Sequence, residues 1–139
     1  MSLIFQTISK VYMYDISRDR WTEVASMKQK RSSHSCLTIS TPSESKVMVC
    51  GGYGRTDCEI WTNGEWTWFQ WRKVPSSGSG SRMIKPSFNS QYTAFVLGGQ
   101  EQGYTNKIYG IKNDLTSVTM LGTFQQARQN FVAIQTKCP

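Results

Sequence analysis

Short apolar runs separated by clusters of glycine, proline, serine and asparagine punctuate this chain, and no stretch carries the apolar period of an amphipathic helix. The runs have strand length. Lys46-Val47-Met48-Val49-Cys50 and Thr93-Ala94-Phe95-Val96-Leu97 each stop at a glycine pair, which permits positive φ and close backbone approach where a strand must end and turn. Val11-Tyr12-Met13-Tyr14-Asp15-Ile16 reads as another strand, followed by one that holds Trp21. Asn63-Gly64 stands between Ile60-Trp61 and Trp66-Thr67-Trp68 and favours a two-residue type I′ turn, so these two segments are expected to form a hairpin. Pro42, Pro75 and Pro86 mark loops, and the Ser/Gly tract from Ser76 to Ser81 reads as a flexible surface loop.

The pattern repeats. The glycine pairs Gly51-Gly52 and Gly98-Gly99 lie 47 residues apart. Residues 11 to 37 also match residues 108 to 134 without a gap, an offset of 97, or two steps of about that length. This match sets Val11 on Ile108, Tyr12 on Tyr109, Val24 on Leu121, Arg31 on Arg128 and Leu37 on Ile134.

In its motifs the chain resembles the kelch repeat family: an apolar strand ending in Gly-Gly, then a strand with a tyrosine (Tyr14), a tryptophan soon after (Trp21), and a basic residue further on (Arg31). The resemblance runs from about residue 10 to residue 135. It implies an all-β fold, a segment of a kelch-type β-propeller built of four-stranded antiparallel blades. On that reading residues 10–27 form a partial blade, 33–74 and 83–124 form complete blades, and 128–135 supply the first strand of a further blade. That makes about 11 strands, two and a half blades in all, and the chain does not close the ring alone, since propellers take about four to eight blades. Tyr14 is then expected between blades and Trp21 in the wide outer part of the wedge. The sequence departs from the family at Val118, where a tryptophan is expected, and in the crowding of Trp66, Trp68 and Trp71.

Composition narrows the function classes. A length of 139 residues allows one domain, and six Phe, six Tyr and five Trp suit strands. No segment is apolar enough to span a membrane, and the N-terminal residues lack the features of a secretory signal, so no membrane association and a cytoplasmic location are expected. The net charge of +7 is compatible with an acidic partner or with nucleic acid, but the basic residues are dispersed; their densest stretch, Lys28 to Arg31, reads as a solvated loop. The four cysteines, Cys36, Cys50, Cys58 and Cys138, form no close pair and are expected as free thiols, with a Cys50–Cys58 bridge as the minority alternative.

Catalysis finds little support. The single histidine, His34, reads as a hydrogen-bonded structural residue near the channel of the ring. It cannot meet the two-histidine copper site of some kelch-like oxidases, so no metal and no other cofactor is expected. No nucleophile elbow or phosphate-binding loop is present, and no spacing pairs two carboxylates for acid–base work. What remains is a non-catalytic protein-binding module. By resemblance its loops gather on the faces of the propeller, as in the substrate receptors of cullin ubiquitin ligases, actin-binding modules or scaffolds. The candidate contact residues are Tyr53, Arg55 and Tyr104, with Arg31, Arg82 and Gln102 beside them, Tyr and Arg being enriched at binding hot spots. The alternative is a basic β domain that binds nucleic acid without specificity. Self-association, or membership of a longer propeller, is expected because an open wedge leaves apolar faces uncovered.

Overall fold

The glycine pairs and Asn63-Gly64 act as corners of antiparallel meanders in the computed structural model, which describes residues 7–40, 44–75, 77–86, 91–100, 103–128 and 130–131. The first sheet holds β1 (Val11–Asp15) and β2 (Arg20–Val24). The second runs β3 (Ser35–Ser40), β4 (Ser45–Gly52), β5 (Arg55–Thr62) and β6 (Glu65–Lys73), and the third runs β7 (Arg82–Ile84), β8 (Tyr92–Leu97), β9 (Lys107–Lys112) and β10 (Val118–Thr123). In every sheet each strand pairs antiparallel with its neighbour in sequence. Among the described residues there is no helix, hence none long and apolar enough to cross a membrane. Most of the strand expected at 128–135, together with Pro42, Ser76, Gln102 and Cys138, lies outside the described residues.

The hairpin read from Asn63-Gly64 is present. Thr62 pairs with Glu65 across the turn, and Asn63 and Gly64 take φ of 50° and 88°, the two positive values a type I′ turn requires.

The second sheet is covered on both faces, and the two-residue period of its strands sorts the side chains. Ile39, Met48, Cys50, Cys58 and Ile60 point toward the third sheet and join Met83, Ala94, Val96 and Ile111 in the main core. Here β3 lies beside β7 and β8. The alternate residues Val47, Val49 and Trp61 pack with Trp66, Met27 and Val11, where the first sheet leans on the second. Trp66 is buried in that layer and its Nε1–H donates to the Ala25 carbonyl at 2.7 Å, so a large apolar ring enters without stranding its one donor. Each fully buried side chain such as Met48 contributes about 1.5–3 kcal/mol through the apolar area it removes from water.

The outer aromatics do not sit where the repeat places them. Tyr14 and Trp21 are 41% and 67% exposed, and Tyr12 is exposed as well. The cause is the two-stranded first sheet. Val11 and Val24 occupy its inner face, while Tyr12, Tyr14 and Trp21 share the opposite face, which no described element covers. Tyr14 and Trp21 cover each other instead, with ring centroids 5.0 Å apart. An uncovered face of this kind favours association. Sedimentation velocity over a concentration series is expected to show concentration-dependent growth, reduced in Tyr14→Ser/Trp21→Ser; a concentration-independent monomer boundary would contradict it.

Candidate functional site: a basic pocket at the strand tips

The site is built where the segment joining the first two sheets meets the β4–β5 tip. Arg31 in that segment is 2% exposed, and its guanidinium uses all five N–H donors. Nη1 donates to the carbonyls of Gly51 and Asp57, both at 2.8 Å. Nη2 donates to Asp57 Oδ2 at 2.7 Å and Glu59 Oε1 at 2.8 Å, and Nε donates to Glu59 Oε1 at 3.2 Å. Glu59, fully buried in the middle of β5, also accepts the backbone amides of Lys28 and Gln29 at 2.6 and 3.2 Å. A buried charge persists only when paired and hydrogen-bonded, and here the pairing fixes the course of residues 28–31.

With the segment so held, Lys28 and Lys30 stay at the surface opposite the tip, where the Tyr53 amide donates to the Ser32 carbonyl at 2.9 Å. Together they frame an open polar pocket of about 540 Å³ lined by Lys28, Gln29, Lys30, Tyr53, Gly54 and Arg55, with Thr7 and Ser9 at its rim. Arg55 Nε donates to Asp57 Oδ1 at 2.8 Å. Burial would raise the Asp57 carboxyl, but the Arg55 hydrogen bond and the charge of Arg31 outweigh it and hold the group below its ordinary value. Two carboxylates therefore face the cations Arg31 and Arg55, which leaves the positive charge of Lys28 and Lys30 uncompensated within the cluster.

Of the residues singled out from the sequence, Tyr53 and Arg55 share this pocket, and Tyr53 is 76% exposed. Tyr104 is exposed but lines neither this pocket nor the apolar cleft described below; it lies at the same end of the sheets, linked by bridges that run from Gly52 to Gly78 and from Ser79 through Gln100 to Tyr104. Arg82 is half-buried at the start of β7, where Nη1 donates to the Ser81 carbonyl at 3.0 Å. Arg31 is buried inside the protein, so it builds the pocket without offering a contact surface. Its repeat counterpart Arg128 is exposed.

Two expectations are corrected. Cys50 and Cys58 are not free thiols: they stand opposite each other on β4 and β5 and form a disulfide, buried in the main core, while Cys36 is free and exposed. Asp57 and Glu59, two apart on β5 and so on one face of the strand, both reach the Arg31 guanidinium. The only sequence signal for Glu59 was a charge set among Cys58, Ile60 and Trp61. His34 is not satisfied: its Nδ1 is buried without a hydrogen-bond partner among the described residues. Burial, and then the charge of Arg31, lower its pKa and so favour the neutral imidazole.

His34 and Cys36 line a second, apolar cleft of about 440 Å³ between the first and second sheets, walled by Val11, Met13, Val49 and Trp61. Among the described residues no three His, Cys, Asp or Glu side chains gather where a metal ion would need them. No model of a known protein family matches the chain, and the search of curated proteins returned no match.

Proposed function

We propose that the chain is a segment of a kelch-type propeller that acts as a non-catalytic protein-binding module through its strand tips. Two antiparallel four-stranded meanders packed side by side, each with a glycine pair at the end of its second strand, support the architecture. The observation that carries the function is the convergence of residues 28–30 and 53–55 on one preformed pocket. Rigid strands present these tips, and the exposed Tyr53 beside lysines and an arginine has the composition of a contact surface. No enzyme activity and no cofactor are part of this reading, and scaffolding or substrate reception is the kind of role it serves.

A pull-down from lysate tests it. Tyr53→Ala/Arg55→Ala/Tyr104→Ala is expected to lose most of the protein captured by the wild type while keeping its thermal transition. Equal capture by the two chains would reject the reading.

The exposure of Tyr12, Tyr14 and Trp21 favours a second reading, non-specific binding of single-stranded nucleic acid, because aromatic faces are open to solvent on a hairpin that also carries Arg20. Titration with single-stranded DNA is expected to show only weak binding that disappears as salt rises, since phosphate neutralisation alone is steeply salt-dependent. Tight binding that persists above physiological salt would favour this second reading.

A further inference from the structure

The tip that carries Tyr53 and Arg55 is secured from both faces of its sheet, just where the strand ladder is irregular. Register shifts fall between Cys50 and Gly52 on β4 and between Asp57 and Glu59 on β5, and Gly51 and Gly52 both have positive φ. The ladder is therefore broken below the tip and resumes only at the Gly52–Arg55 pair, and other bonds add to its hold. On the face toward the third sheet, the Cys50–Cys58 disulfide closes the base of the tip, a sequence separation of 8 that encloses Tyr53 and Arg55. On the opposite face, Arg31 spans the same two strands through the Gly51 and Asp57 carbonyls. A covalent closure of this kind removes open conformations of the segment between the two cysteines.

We propose that the Cys50–Cys58 disulfide presets the Tyr53–Arg55 tip for its partner, so that the oxidised chain binds and the dithiol chain does not hold the site in shape. This inference rests on the protein-binding reading given above. It also places assembly of the site where disulfides form, and thus opposes the cytoplasmic location expected from the sequence. Opening the bond takes two electrons and two protons from a dithiol such as dithiothreitol, which leaves as its own cyclic disulfide while Cys50 and Cys58 become thiols. Both sulfurs are buried, so reduction requires a transient opening of the tip.

Hydrogen exchange and capture test the proposal together, on the oxidised wild type, the wild type treated with dithiothreitol, and Cys50→Ala/Cys58→Ala, with Cys36→Ser as a thiol control. Amides of residues 53–57 are expected to exchange about tenfold faster without the bond, while those of β8 and β9 keep their rates. The lysate protein that the wild type retains and the triple alanine variant loses is expected to be captured about tenfold less, because an unset tip must be ordered on binding. Unchanged exchange at 53–57, or unchanged capture by the disulfide-free chain, overturns the inference. So does loss of protection throughout the chain in both disulfide-free samples, since the bond would then hold the fold and not the tip. If the triple alanine variant loses capture while the disulfide-free chain keeps it, this inference alone fails; if the triple variant captures normally, the protein-binding reading has failed first.

Discussion

Glu59→Ala is expected to lower the unfolding free energy by about 3–5 kcal/mol, the cost of stranding one partner of a buried ion pair. The carboxylate is fully buried and accepts four hydrogen bonds, two from Arg31 and two from the backbone of Lys28 and Gln29. Without it Arg31 keeps only Asp57 and two carbonyls as acceptors, and the two amides lose theirs. Against a total stability of about 5–15 kcal/mol for a domain of this kind the loss is large. Urea unfolding will report it as a drop in midpoint. Arg31→Met alone is expected to cost a similar amount, because it leaves Glu59 buried and uncompensated. Arg31→Met combined with Glu59→Leu is expected to be milder than either single change, since apolar replacement of both partners removes the desolvation penalty. A double variant as unstable as the sum of its parts would show that the pair is not a unit.

Gly51→Ala is expected to be the most damaging glycine substitution in the second sheet. Its φ is +69°, and a Cβ there would stand 1.3 Å from the Ser77 carbonyl oxygen. The left-handed conformation alone costs a side chain about 1–2 kcal/mol. The collision adds to this because the neighbour is backbone, and residue 77 cannot retreat freely: its amide and hydroxyl both bond to the Val74 carbonyl, and the hydroxyl bonds to Thr56 as well. Gly54 provides the comparison. It has nearly the same φ, +68°, but open space where its Cβ would lie. Gly54→Ala should therefore show the conformational cost alone, and thermal unfolding of the two variants separates strain from collision. Equal losses would mean that the Ser77 backbone yields without penalty.

The strands and their corners are legible in the amino-acid sequence. Glycine pairs, the Asn63-Gly64 dipeptide and the strand-length apolar runs act locally, through allowed φ and side-chain alternation, and the antiparallel four-stranded sheets follow from them. The sequence also pointed to the Tyr53–Arg55 tip, because such a tip is set by the strands it joins. The remainder depends on packing, since pairing across distance has no local signature. The 97-residue match makes Arg31 and Arg128 equivalent, yet one is buried and the other exposed. Arg31 is drawn inside by Asp57 and Glu59, carboxylates of the sheet that follows it, and nothing in the residues around Arg31 announces that pairing. Cys50 and Cys58 likewise became partners only when the register set them opposite each other. Tyr14 and Trp21 are apolar enough for a core but lie exposed, because burial needs a second surface and none covers the outer face of their hairpin among the described residues.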